Sequence, residues 1–434
     1  MTVQRPTAST ETFVFTTHLR QGRERDYERV HHAIPADLDA AMRAAGVIGW
    51  RISRSGLTLT HEVEARSRTE MERRLDADPA NVNWQRQVAP FLDPSATTNE
   101  GGPAGTVIWD FSWPATPRLA LGCAQLGNLY HERSDVAAWA LLDAAWAAGV
   151  RHFDTAPHYG LGLSERRLGE FLRTKPRSAF TVSTKVGRML VPNPGGANQI
   201  DDEGFVVPAT LRREWDFSAD GVRASLEASL ERLGLDHVDT VLIHDPNDHA
   251  NTAIAAAAPT LLRLRDEGVV ESVGVGNRDT ALLTRFVRDT GIDVVMLAGR
   301  YTLLDQSALD ELLPTCLHQG VAVLNAAVFN SGVLAERRPS DDAHFEYDVA
   351  PTAVVERARE IARLCERHDT SLPAAALAFS GAHPAVRELV VGADNEQQVR
   401  RNAELLASPP PPKFWGELVG HGLIRADAPL PAAA

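Results

Sequence analysis

From Arg118 onward the chain alternates short apolar runs with stretches of helical period, eight times over. The runs read LALGC, RHFD, AFTVSTK, DTVLIH, VVESVGVGN, IDVVMLAG, VAVLNAA and RELVVG. Parallel strand neighbours need a crossover long enough to hold a helix, so this alternation predicts βαβ units. Eight of them close into a (β/α)8 barrel with no edge strand. The C-terminal strand ends of such a barrel open into one shared mouth, where reactive groups collect. Here three consecutive runs end in ionisable residues. The second delivers Asp154 and, five residues on, Tyr159; the third closes on Lys185 and the fourth on His244. A lone barrel Lys–Asp pair or core histidine is ordinary packing. Four such residues on three successive strand ends predict a common site.

Helix signals support this division. Ser134 can cap the helix that runs to Ala148, and Gly149 ends it. Trp139 and Trp146 share one face of that helix and are expected to be barrel-facing core. SERRLGEFLR and DGVRASLEASLERLG are further helices, and EQQVRRNAELL follows the eighth strand. Between the third strand and its helix lies a long excursion, residues 187–217, rich in Pro and Gly. The tail PPPPKFWGELVGHGL is expected to pack its Phe and Trp back on the barrel.

The first 113 residues have a different grammar. Residues 1–11 are polar and are expected to be disordered. Residues 12–19 alternate like a strand. Residues 23–45 are helical, interrupted at Pro35, with Asp37 able to cap the second part. Residues 47–54 and 57–64 form two strands about Ser55-Gly56, a hairpin signal. Helices follow at 69–75 and 82–92, then a polar, Gly-rich loop (DPSATTNEGGPAG) and a last strand, TVIWDF. The order β-α-β-β-α-β predicts a small ferredoxin-like α+β sandwich over residues 12–113, with the barrel occupying 114–434.

Composition narrows the function. A formal charge of −13 argues against nucleic acid, which calls for a basic patch. No apolar run approaches the ~20 residues of a membrane span, and the polar start lacks a signal-peptide core. Cys123, Cys316 and Cys365 are too scattered for a zinc site or a disulfide framework, so no metal is expected and the expected compartment is the cytoplasm. No GxGxxG follows a strand, which argues against a Rossmann domain.

The order DxxxxY, Lys, His on strands two to four resembles the aldo-keto reductase superfamily, from about Arg118 to the C-terminus. LALGCAQLGNLY, VLIHDPND and AGRYTLLD are similar to its aldose 1-dehydrogenase branch (D-threo-aldose or L-fucose dehydrogenases). The resemblance implies a catalytic set of Asp154, Tyr159, Lys185 and His244 and an extended nicotinamide nucleotide across the mouth. By position it implies that Asn277 meets the carboxamide and that Ser331, Gly332, Val333 and Leu334 approach the pyrophosphate. Gly392, Asp394, Gln398 and Asn402 would hold the adenosine half. Gly276, Ala298 and Ala326 stand where the family usually has Ser, Gln and an aromatic residue. Asp394 stands where NADP-preferring members often carry Arg. A carboxylate repels a 2′-phosphate and accepts from a ribose diol, so NAD is expected, with NADP the alternative.

The N-terminal unit resembles the L-rhamnose mutarotase family through Tyr27 and His31 in YERVHHAIPADL, Trp50 in GVIGWRI and Trp84 in NVNWQRQVAPFLD. Tyr27 and His31, at i and i+4, share a helix face. The resemblance implies His31 as the proton-shuttling group of anomer interconversion, with Tyr27, Trp50 and Trp84 around the sugar. Ile34-Pro35-Ala36 stands where that family usually has a Trp-Pro pair. Both halves point to C1 of an aldose of the L-fucose, L-galactose or D-arabinose type. The expected function is therefore bifunctional: oxidation at C1 to the lactone, with anomers interconverted by the N-terminal domain. The alternatives are an aldehyde or ketone reductase, with the N-terminal domain a non-catalytic module that forms a homodimer.

Overall fold

The computed structural model describes residues 11–431, apart from 32–33, 36–37, 39–40, 43–44, 66, 99–105, 113–117 and 347. The expected disordered tail (save Glu11), the Asp37 cap and most of the Gly-rich loop lie outside the described residues. The chain divides near residue 115 into two compact units.

The N-terminal unit is a five-stranded antiparallel sheet with helices. Its strands are β1 (Glu11–Leu19), β2 (Val47–Ser55), β3 (Thr58–Ala65), β4 (Leu92–Thr98) and β5 (Thr106–Ser112), in the order β4-β1-β3-β2-β5. β2 and β3 turn through Gly56, whose φ of +62° is open to glycine at no steric cost. The first four strands in the order 4-1-3-2 are the ferredoxin-like sheet that the element order implies. Two expectations are corrected here. Leu92–Thr98, read from sequence as the end of a helix and the start of a loop, is a strand that pairs β1. TVIWDF is not the fourth strand but a fifth, added on the far edge beside β2. An edge strand with one neighbour does not need regular apolar alternation, so LDPSATT carries little strand signal. The helices Glu24–His31, Arg68–Ala77 and Pro79–Val88 flank the sheet in sequence, and Tyr27, Met71, Leu75, Trp84 and Val88 join Leu59 and Val63 in one core.

The second unit is a closed parallel barrel. Its strands are β6 (Arg118–Gly122), β7 (His152–Asp154), β8 (Thr181–Val186), β11 (Thr240–His244), β12 (Ser272–Asn277), β13 (Val294–Ala298), β14 (Ala322–Ala326) and β17 (Val386–Gly392). The intervening numbers belong to two antiparallel ribbons, β9 (Arg188–Pro192) with β10 (Leu211–Trp215), and β15 (His344–Phe345) with β16 (Asp348–Val349). Along each barrel strand alternate residues face the lumen. Ala120, Leu242, Val294, Met296, Leu324 and Val390 plug it with apolar side chains. The opposite faces pack against the helices in a separate, larger core.

Ser134 caps the helix Asp135–Ala147 by accepting from the Ala137 N–H, as expected. The tryptophans on that helix correct the reading. Its buried positions are Ala138, Leu141, Leu142, Ala144 and Ala145, whereas Trp139 is 39% exposed and Trp146 only partly buried. Trp139 meets Phe171 edge-on, and Trp146 lies under the Arg151 guanidinium. Alanines and leucines fill the buried face, and the indoles lie to its sides. In the tail, Phe414 and Trp415 are fully buried in the barrel core, as expected. All three cysteines are buried and free. Among the described residues no helix is long and apolar enough to cross a membrane.

Candidate active site

β7 and β8 lie side by side, and their lumen-facing residues meet at the mouth. The Lys185 ammonium donates to Asp154 Oδ2 at 2.7 Å, to the Thr155 carbonyl at 3.0 Å and to Tyr159 Oη at 3.1 Å. All three of its hydrogens are thus committed. Lys185 and Asp154 are each about 2% exposed. Burial works against the ammonium, but the charge of Asp154 and the bonds to Asp154 and Tyr159 outweigh it, holding Lys185 above the usual lysine range.

Tyr159 is fixed by its loop. Gly160 has φ +62°, and a Cβ there would lie 2.3 Å from the Gly127 carbonyl, so the loops after β6 and β7 touch backbone to backbone. Only glycine permits that contact. The phenol packs against Phe205, Val207 and Leu161. From β11, His244 sets its ring at 87° to the Tyr159 ring with centroids 6.0 Å apart. Burial first, then Arg188 and Lys185, push its pKa well below the usual value, so the ring is neutral near pH 7. Its Nδ1 finds no partner among the described residues. The four residues read from sequence therefore converge.

The rest of the mouth comes from residues sequence reading did not single out. The excursion after β8 folds back over the opening, where β9 pairs with β10 and Phe205 bridges to Leu129. It brings Arg188, which donates to Asp245 at 2.6 Å and lies 3.3 Å from His158 Nδ1. Arg213 grips both oxygens of Asp201 and the His158 carbonyl, and this ion pair is buried. His158 is held down to about 2 by burial, with Arg188, Arg213 and Lys185 adding. Asp245, at a left-handed φ of 43°, is pushed up by burial. A signal existed for some of these. His158 adjoins Tyr159, and His152 and Ser183 lie two residues before Asp154 and Lys185, hence on the same strand face.

The positions expected to hold a nucleotide are spread over three segments. Asn277 is buried; its Nδ2 donates to Asn247 and its Oδ1 accepts from the Asp279 N–H, both at 2.8 Å. After β14, Ala327, Asn330, Ser331 and Gly332 all have positive φ (53°, 46°, 59° and 104°). Where left- and right-handed residues adjoin, as at Phe329–Asn330 and Gly332–Val333, backbone N–H groups can turn into an anion-binding concavity. Ser331 and Gly332 are exposed, whereas Val333 and Leu334 are buried in the core, and the Gly332 and Leu334 amides already donate to the Phe329 carbonyl. Leu334 therefore has neither side chain nor amide free to meet a pyrophosphate. Gly392 is exposed, and a Cβ on it would strike the Gln125 amide, whose buried Oε1 has no partner among the described residues. Gln398 accepts from the Asp394 N–H at 2.8 Å. Asp394 keeps a half-exposed carboxylate 3.7 Å from Arg133, whose guanidinium is covered and donates to the Gln125 and Asp394 carbonyls. Asn402 lies deeper, beside Leu119, Val391 and Val399.

In the N-terminal unit, Tyr27, His31 and Trp84 come together and are all buried. The His31 ring stacks on Tyr27 at 3.9 Å and meets Trp84 edge-on at 4.9 Å. Its Nδ1 lies 3.1 Å from the Tyr27 carbonyl, which can only accept. Nδ1 is therefore the protonated nitrogen and Nε2 carries the lone pair. Burial lowers His31 to about 4. Trp50 stands in a second group, with Phe15 and His61. Its indole N–H donates to His61 Nδ1 at 3.2 Å, and Thr17 Oγ1 lies 2.8 Å from Nε2. His61 is neutral, pushed to about 3 by burial with His31 adding. Sequence reading passed over it, although it shares the buried face of β3 with Leu59 and Val63.

Comparison with known proteins follows the same division. Residues 118–422 match the Aldo/keto reductase family, and residues 12–109 match L-rhamnose mutarotase. A D-threo-aldose 1-dehydrogenase from a Pseudomonas species is 49% identical over 313 residues, covering 71% of this chain and 95% of its own length. A pyridoxal 4-dehydrogenase from Microbacterium luteolum is 35% identical, covering 70% and 94%. An L-galactose dehydrogenase from Arabidopsis thaliana is 30% identical, covering 65% and 82%. Among solved structures, a glycerol dehydrogenase from Gluconobacter oxydans superposes with a TM-score of 0.57 at 22% identity, over 72% of this chain and 94% of that one. At that identity the likeness is one of fold.

Proposed function

The chain belongs to the aldo/keto reductase family, and on that premise we propose that its barrel oxidises an aldose at C1 to the lactone with NAD. The observation that carries the chemistry is the Lys185 ammonium bridging the Asp154 carboxylate and the Tyr159 phenol. The aldose follows from the relatives, above all the 49% identical dehydrogenase.

A phenol near pKa 10 is a poor base at neutral pH. An ammonium at hydrogen-bond distance favours the phenolate, and a buried carboxylate keeps that ammonium aimed. Tyr159 then takes the proton from the anomeric hydroxyl. Neutral His244 can donate to or accept from the same oxygen and so orient it. Bound NAD supplies the hydride acceptor. Three features fit such a nucleotide: the left-handed residues 330–332, the Gln125 Oε1 beside Gly392 that has no partner among the described residues, and the Asp394 carboxylate. The Arg133 guanidinium keeps its charge beside Asp394 but is covered, whereas the Asp394 carboxylate is half exposed and can accept from a ribose diol, which supports NAD over NADP.

The N-terminal unit in this reading interconverts anomers. His31 Nε2 is the base, and Tyr27, stacked on it, and Trp84, edge-on to it, form an aromatic wall for the sugar. The test is a panel of aldoses scored for NADH formation. L-Fucose, L-galactose or D-arabinose should lead; a panel with no aldose oxidised, while simple aldehydes are reduced, would overturn the reading.

A further inference from the structure

Hydrogen bonds also leave the Lys185–Asp154 pair on the side away from the mouth. Asp154 gives Oδ2 to Lys185, and its Oδ1 accepts from Ser183 Oγ at 2.7 Å. Ser183 Oγ lies 3.1 Å from His152 Nε2, and His152 Nδ1 meets a carboxylate oxygen of Glu388. The partners come from β7, β8 and β17. Ser183 is fully buried, and the side chains of His152 and Glu388 are 10% and 16% exposed.

The direction of each bond is forced. A carboxylate only accepts, so Ser183 spends its one hydrogen on Asp154 and must accept from His152. His152 Nε2 therefore carries a hydrogen. Its Nδ1 then faces Glu388, and two lone pairs cannot share that gap. A second hydrogen lies between them, on the ring or on the carboxyl. Burial works against a charged ring, but the bond and charge of Glu388, with Asp154 and Asp239 adding, outweigh it and move His152 upward. The other charged groups nearby are committed elsewhere or open to water. Asp239 is bonded to Arg177 and the Val182 N–H, Lys185 lies beyond Asp154, and Arg118 at the start of β6 is exposed.

We propose that Ser183, His152 and Glu388 are positioning residues of the active site, a one-way relay that holds Asp154 so that Lys185 stays aimed at Tyr159. It runs in a lumen otherwise plugged by Leu242, Met296, Leu324 and Val390. In such surroundings successive hydrogen bonds polarise one another, so a cut at Glu388 is felt at the ammonium. The proposal rests on the reading of Tyr159 and Lys185 as the working pair.

The test measures kcat and KM for aldose oxidation in Glu388→Leu, Glu388→Gln, Ser183→Ala and the double variant Ser183→Ala/Glu388→Leu. Gln can still donate to or accept from His152 Nδ1, whereas Leu can do neither. Glu388→Leu and Ser183→Ala should each lower kcat by about tenfold or more with KM within about twofold, as expected for groups coupled through shared partners. Glu388→Gln should recover most of the loss, and the double variant should be no slower than Ser183→Ala. Wild-type kcat in Glu388→Leu and Ser183→Ala, equal losses in Leu and Gln, or additive losses in the double variant would each overturn the relay. Should Glu388→Leu fail to fold, Ser183→Ala, which removes one oxygen, still decides: wild-type kcat there ends the proposal. Tyr159→Phe is assayed alongside. If it stays active, the underlying reading of the site fails; if it is inactive while Ser183→Ala is wild type, only the relay fails.

Discussion

Replacing Lys185 with Met keeps the length of the side chain and removes its charge, which separates electrostatics from packing. In the structure that charge lies 3.1 Å from the Tyr159 oxygen. Two unit charges at this distance, at an effective dielectric of about 20, attract by about 5 kcal/mol. That is an upper figure for what the ammonium gives the phenolate, and it corresponds to about four decades in rate. We expect kcat of Lys185→Met to fall by about 10³–10⁴ at pH 7 and to rise with pH, because hydroxide must now ionise the phenol. Stability should respond in the opposite sense. The variant strands Asp154 as a buried, unpaired charge, a loss of about 3–5 kcal/mol for pairs of this kind. Protonating that carboxylate relieves the strain, so the deficit against wild type should shrink as pH falls. The assay is kcat against pH together with urea midpoints at pH 5.5 and pH 8. A variant within tenfold of wild type, with an unchanged pH profile, would refute the role given to the ammonium.

Three further outcomes are expected. Asp394→Arg should narrow or reverse a preference for NAD over NADP, since a cation can pair with the added phosphate; a wild-type preference for NADP, read from kcat/KM with each nucleotide, would contradict this. His31→Ala should leave oxidation of equilibrated sugar unchanged but introduce a lag on the wrong pure anomer, abolished by adding a separate mutarotase; identical progress curves on both anomers would mean the N-terminal unit does not interconvert them. His31 and His61 have folded pKa values of about 4 and about 3, below the unfolded value, so the stability they contribute is full above about pH 6.5 and is lost as pH falls toward those values. At pH 5 the loss is about 2 kcal/mol for each ring, and hydrogen-exchange protection of the Leu59 and Val63 amides, corrected for intrinsic rates, should show it.

What could be read from the sequence divides along physical lines. The barrel was legible because each buried strand is a continuous apolar run, and the mouth because Asp154, Lys185 and His244 interrupt those runs at their ends. The tail was legible from a Phe-Trp pair too apolar to leave in water. Strand β4 was not, since an edge strand answers to one neighbour and LDPSATT carries no regular apolar alternation. Trp139 and Trp146 misled because helical period shows which residues share a face, not which face packs on the barrel. Arg188, Arg213 and Asp201 could not be assigned at all. Their meaning depends on where a thirty-residue excursion lands, and that is a matter of tertiary contact, not of local pattern.

That excursion is tied to the loop after β6 and within itself. Tyr130 donates to the Gly204 carbonyl, Val206 donates to the Asn128 carbonyl, and the buried Arg213–Asp201 pair clamps its interior. A wall secured in this way stands before any substrate arrives. Little ordering entropy remains to be lost on binding, and selection proceeds by fit to a standing shape instead of by closure around the guest. Variation in substrate range should then arise from exchanges of single side chains along this wall, with the length of the loop left alone.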